Sequence, residues 1–401
     1  MSHGSSRRPT NGSSRTANHT PKLRVSGAIT FRSGVVEPHL RTPHPRTTVT
    51  IRKEQSPQWR DGKFRNRLER HDGPIWRSFG EFFFGGSKHR RPATPIPVDA
   101  RVAADYATPP ASGLRVTWLG HSTTLLEVEG TRLLFDPVWA ERASFVGFAG
   151  PRRFFPPPLP LAELPTVDAI VLSHDHYDHL DRELVASVAA RELRWIVPLG
   201  VGDWLRKWGI AADDVTELDW WETTRVGALP LTSTPARHFS GRGPMSADRT
   251  LWCGWAVVGQ RRRVYYAGDT ALQNEFAEIG ERLGPFDLTM IEIGAYDALW
   301  PDVHLGPEQA VLAHRLVRGD VMLPLHWGTF DLALHGWTEP IERALVAAAQ
   351  DGVRLATPRP GGMFEPAKLP PSERWWPTVP WHTAAEKPIH STGIPQRGQI
   401  P

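Results

Sequence analysis

The sequence predicts an α/β protein of four layers in αββα order, two β-sheets packed face to face between helices. Three observations predict it. From Leu114 onward, short apolar runs of strand length recur between turn residues, first as a meander and then alternating with helical patterns. Imidazole and carboxylate side chains stand where four of those runs stop: His174 after AIVLS, His238 after TSTPAR, Asp269 after VYYAG and His326 after VMLPL. Sheets of this class gather a site along the rim where their strands end. Finally, 401 residues with 40% apolar content can bury a large core.

The elements follow in order. Residues 1–70 carry fifteen Lys and Arg against four acids, which leaves 32 basic and 39 acidic residues for the remainder. Rich in Ser, Thr, Pro, Arg and Gly, residues 1–72 cannot bury enough surface to offset the entropy of ordering, so a disordered basic leader is expected. Between 73 and 110, isolated aromatics such as Trp76 and the triplet Phe82, Phe83 and Phe84 precede a Pro-rich stretch, which suggests an extended arm on a domain surface. The domain proper spans 111–366. RVTWLG, TTLLEVE and TRLLFDP read as a strand meander, and DAIVLSH, LRWIVP, LPLTSTPARH, LWCGWAVVG, RRVYYAGD, DLTMIEIGA and DVMLPLHWG as further strands. Helical periodicity appears near 182–191, 272–283, 307–317 and 339–349. Residues 367–401 are Pro-rich and are expected to form a loose tail.

Composition excludes several classes. Cys253 is the single cysteine, so an intramolecular disulfide and a thiolate metal site are both out of reach, and Cys253 is expected in the core. No run of about 18 apolar residues occurs, and the N-terminus lacks the apolar stretch of about 7 to 15 that a secretory signal needs. A cytoplasmic protein is expected, with peripheral membrane contact open to the basic leader. The body has no basic excess, which argues against nucleic acid as a partner.

The chemistry concentrates in SHDHYDHLD, residues 173–181, where His174, His176, Asp178 and His179 offer four donors inside six residues. Imidazole and carboxylate suit zinc, with iron or manganese as substitutes. One catalytic zinc takes about three protein ligands and keeps a water position, so this density points to two metals with a hydroxide between them.

This segment resembles the signature of the metallo-β-lactamase superfamily, and its surroundings resemble the branch of N-acylphosphatidylethanolamine-hydrolysing phospholipases D. The similar stretches run in order from RVTWLGHST through FDPVWAERAS, ELPTVDAIVLSHDHYDHLD, TPARH, AGDT, IGAY and VHLGPEQA to LHWGTF, over half the chain. The resemblance implies the metallo-β-lactamase fold, with one zinc on His174, His176 and His238, a second on Asp178, His179 and His326, and Asp269 bridging them. It also implies a homodimer and a phospholipid or other phosphodiester substrate, here cleaved to phosphatidic acid and an N-acylethanolamine. His304 falls where the family places a histidine on the substrate side, so Asp178, Asp269 and His304 are the candidate catalytic groups. Val303 departs from the polar amide of the animal enzymes. Asp136 reads either as a carboxylate supporting a ligand imidazole or as a turn residue before Pro137, and His121 is open in the same way.

Other readings compete. A hydrolase of the same fold acting on a soluble diester, lactone or amide would carry the same residues. A metal-free binding module would not need the complete donor set. Aromatics and Arg142, Arg152 and Arg153 in segment 139–160 could meet a lipid, or the segment could be a packed loop.

Overall fold

The computed structural model describes residues 53–71, 86–144 and 148–392. The leader up to residue 52, Trp76, the Phe82 to Phe84 triplet and the last nine residues lie outside them. A small hairpin, β1 (Trp59–Arg60) and β2 (Lys63–Phe64), comes first. The first large sheet then comprises β3 (Leu114–Gly120), β4 (Thr123–Val128), β5 (Thr131–Phe135), β6 (Ala169–Val171), β7 (Trp195–Pro198) and β8 (Val215–Leu218). The second comprises β9 (Thr223–Val226), β10 (Leu229–Thr234), β11 (Gly254–Val258), β12 (Arg263–Tyr266), β13 (Phe286–Glu292), β14 (Gly319–Leu325) and β15 (Arg354–Leu355). The last strand, β16 (Met363–Phe364), returns to the first sheet beside β3.

Both sheets obey one rule of pairing. In the order β16-β3-β4-β5-β6-β7-β8, three antiparallel pairings give way to three parallel ones, and the order β9-β10-β11-β12-β13-β14-β15 repeats this. The strand pleat assigns the layers, because successive side chains leave opposite faces. Leu114, Val116, Leu126, Leu133, Phe135 and Val171 enter the core shared with the second sheet. Their neighbours Leu125, Leu134, Ile170 and Leu172 enter another core, closed by Leu184, Val185 and Val188 of α1 (Arg182–Val188) and Leu205 of α2 (Gly202–Lys207). Against the second sheet lie α3 (Glu275–Leu283), α4 (Pro307–Leu316) and α5 (Glu339–Asp351), whose Phe276, Ile279, Val311 and Ile341 are fully buried. Full burial of each such side chain contributes about 1.5–3 kcal/mol. Cys253 is buried among them.

Several expectations need correction. The helix expected from 272 begins at Glu275. Edge strands β8 and β9 and the short α2 carry too little periodic signal to be read in advance. The leader expected to be disordered over 1–72 is ordered over 53–71: Phe64 is 1% exposed and its N–H donates to the carbonyl of Asp248. The tail expected to be loose over 367–401 is fastened over 367–392. Arg374 forms a two-pronged ion pair with the buried Glu342 at 2.5 and 2.7 Å, and Trp375 and Trp376 are buried. Hydropathy averaged over a long window hides segments held by a few polar contacts and one or two aromatics.

Candidate metal centre

Past β6 the chain enters the loop 174–181. Asp181 closes it by capping α1, accepting from the N–H groups of Glu183 and Leu184 at 2.9 and 3.2 Å. Arg242 holds the loop from the other side. Its Nη1 donates to the carbonyls of Asp175 and Leu180, each at 2.8 Å, while its guanidinium lies 4.2 Å from the Tyr177 ring centre.

The seven expected donors come together at the strand ends. His174 Nε2 and His176 Nδ1 are 2.8 Å apart, and His238 Nε2 lies 3.3 Å from the latter. On the other side, Asp178 Oδ2 lies 3.3 Å from His326 Nε2 and 3.6 Å from His179 Nε2. Asp269 Oδ2 joins the two groups, 3.1 and 3.2 Å from the Nε2 atoms of His179 and His326 and 3.8 Å from those of His174 and His238. His121, left open by the sequence, belongs with the second group through its 2.9 Å contact to Asp178. Asp269 is brought in by Gly268, whose φ of +61° suits glycine and whose missing Cβ would lie 2.7 Å from the Cys253 carbonyl oxygen.

These groups fit metal ions. Three ring nitrogens converging within hydrogen-bonding distance repel through their lone pairs unless a cation lies among them. His179 Nε2, His326 Nε2 and Asp269 Oδ1 are buried without a hydrogen-bond partner, which is costly unless something else satisfies them. Charge points the same way. Burial pushes His174 and His238 well below the usual imidazole range and His121 down to about 3. At His326, burial is outweighed by Asp269 and Asp178, which lift the ring to about 10. The carboxylates call for positive charge, and metal ions supply it while displacing protons.

Outer contacts fix which ring nitrogen faces inward. Asp136, which the sequence left between two readings, accepts from His179 Nδ1 at 2.7 Å, from the Ser173 N–H at 2.7 Å and from the Ser173 and Tyr266 hydroxyls, contacts that suit a carboxylate supporting an imidazole. His238 Nδ1 meets the carbonyl of Val303 at 2.8 Å, so the residue that departs from the animal pattern contributes its backbone. Sequence reasoning missed four residues. Asn66 grips the His238 backbone from both sides, donating to its carbonyl at 2.8 Å and accepting from its N–H at 3.0 Å. Arg237 and Asp302, next to His238 and Val303, form a buried ion pair at 2.8 Å. Glu292 accepts from His304 Nδ1 at 2.6 Å. Each pairs with a residue 12 or more positions away, so no local pattern marks it. In segment 139–160, Arg153 is buried and donates to the Val138 carbonyl at 2.7 Å, while Phe148 is 84% exposed.

Comparison with known proteins agrees with this geometry. Residues 131–327 match the β-lactamase superfamily domain. An uncharacterised protein of Mycobacterium tuberculosis is 45% identical over 336 residues, 80% of this chain and 88% of that protein. The N-acyl-phosphatidylethanolamine-hydrolyzing phospholipase D 1 of Caenorhabditis elegans is 45% identical over 249 residues, 59% of this chain and 69% of the worm protein. Among solved structures, an isothiocyanate hydrolase from Delia radicum gut bacteria superposes with a TM-score of 0.52, covering 63% of this chain and 98% of that one; at 21% identity it speaks for the fold alone. Fold, donor set and relatives define a metal-dependent hydrolase with the metallo-β-lactamase fold. Within the superfamily, the chain belongs to the branch of the N-acyl-phosphatidylethanolamine-hydrolysing phospholipases D. Among the described residues no helix is long and apolar enough to cross a membrane.

Proposed function

We propose that the chain is a zinc-dependent phosphodiesterase of the phospholipase D type, cleaving N-acylphosphatidylethanolamine-like lipids to phosphatidic acid and an N-acylethanolamine. Asp269 carries this reading. One of its oxygens faces imidazoles of both donor groups, as two-metal hydrolysis requires, in a chain 45% identical to a worm protein named for this reaction. His174, His176 and His238 would hold one ion, Asp178, His179 and His326 the other, and Asp269 both; the same donors accept iron or manganese. Two zinc ions bound there supply Lewis acidity and an activated water at neutral pH.

The chain's own groups supply the rest. Asp136 and the Val303 carbonyl hold His179 and His238 as Nδ1–H tautomers, so their Nε2 lone pairs face the donor groups. His304 has a side chain 13% exposed, against 0–1% for His179, His238 and His326, and its ring centre lies 5.2 and 5.0 Å from those of His238 and His326. It therefore stands on the open side, placed to take a proton on Nε2 from the attacking water as that oxygen bonds to phosphorus, and to return it to the departing ethanolamine oxygen as the ester bond breaks.

The test pairs elemental analysis of the purified protein with hydrolysis of N-acylphosphatidylethanolamine and of bis(4-nitrophenyl) phosphate, before and after chelation. Two zincs per chain and chelator-sensitive lipid cleavage are expected. Cleavage of the small diester alone would move the substrate to the soluble class, and a folded protein without metal would end the reading.

A further inference from the structure

Glu292, the last residue of β13, is 1% exposed. A buried carboxylate is retained at a cost, so its partners indicate its use. Oε1 accepts from the Thr270 N–H at 2.6 Å and from the Leu305 N–H at 3.4 Å, and Oε2 meets His304 Nδ1 at 2.6 Å. Glu292 thus links the turn after Asp269 to the loop that carries His304. The nearest Asp269 oxygen is 3.8 Å from the same ring nitrogen, too far to compete for its proton.

We propose that Glu292 is the positioning residue of His304, holding it as the Nδ1–H tautomer with the Nε2 lone pair available to substrate and keeping the ring off the shared carboxylate of Asp269. The proposal rests on the reading of His304 as the substrate-side group. A carboxylate is needed because both oxygens must accept: a glutamine in its place turns an N–H donor either toward Thr270 and Leu305, which also donate, or toward His304. In the second orientation His304 Nδ1 becomes the acceptor, the proton moves to Nε2, and the lone pair is lost from the open side.

The experiment compares the zinc-loaded parent with Glu292→Gln, His304→Ala and the double variant, reading zinc content, the 15N imidazole tautomer of His304 by NMR, and kcat and KM for the cleaved diester. Expected are Nδ1–H in the parent and Nε2–H in Glu292→Gln, with zinc content unchanged. kcat should fall about 10²-fold with a smaller change in KM, and the double variant should be no worse than His304→Ala alone. A His304 tautomer of Nε2–H in the parent would overturn the proposal even if no variant folds. So would zinc loss in Glu292→Gln, or a further loss of activity in the double variant, since either would make Glu292 a support for Asp269 instead. Tautomer and zinc content decide this point whatever diester is cleaved, so a missing lipid activity counts against the functional reading alone.

Discussion

Asp136 has four donors around one buried carboxylate, and removing the acceptor strands all of them. Asp136→Ala is expected to cost about 3 kcal/mol of stability and to weaken metal binding about 10- to 100-fold, read by urea unfolding and by competition with a chelator. A variant that keeps metal affinity would show that His179 does not depend on this partner. Asp136, His121 and His326 also share positive φ angles of 38°, 53° and 63°, backbone states that non-glycine residues adopt at a cost and that gather at functional sites. The sequence discloses residues of this kind unevenly. His174, His176, Asp178 and His179 crowd one loop and announce themselves. Asn66 meets His238 from far along the chain, and Glu292 meets His304 across the connection that leaves β13, and nothing in their own neighbourhoods reports either pairing.

At the scale of elements, the segment 53–71 behaves as part of the domain. Asn66→Ala removes both bonds to the His238 backbone and should lower zinc affinity severalfold while the fold persists, measured by chelator competition beside circular dichroism. Unchanged affinity would reduce the segment to simple packing. The long strands were legible because their apolar runs end in turn residues, whereas this segment folds on one buried phenylalanine and a handful of polar contacts. Helix α4 offers a separate test. His314 meets the Thr289 hydroxyl at 2.7 Å and is pushed by burial to about 4 from an ordinary 6.5. Because the folded value is the lower one, the unfolded chain takes up this proton first as pH falls. The contribution is constant above about pH 6.5 and is lost between there and pH 4, by about 3 kcal/mol in all. Urea unfolding of His314→Gln across that window should show a flatter pH dependence than the parent, and parallel slopes would refute the assignment.

In the whole molecule, the C-terminal chain reaches back to the centre through tryptophans. Trp375 stacks on Trp327 at 5.2 Å, Trp327 on Trp118 at 5.6 Å, and Trp118 donates to the His121 carbonyl at 2.9 Å. Trp375→Ala should cost about 3 kcal/mol in thermal or denaturant unfolding. Stripping the metals should lower the melting temperature, with recovery on adding zinc, since a ligand that binds only the folded state stabilises it by mass action. A melting temperature indifferent to chelation would argue that the donor groups hold nothing.

The repeated pairing rule of the two sheets has a mechanical consequence. His174, His176, Asp178 and His179 follow strands of the first sheet, and His238, Asp269 and His326 follow strands of the second, so each ion would take donors from both halves of the chain. Metal ions held there would act as rivets across the seam between two like halves. Prising the halves apart and losing the catalyst would then be one event, and metal release would serve as a gauge of whether the molecule is still closed.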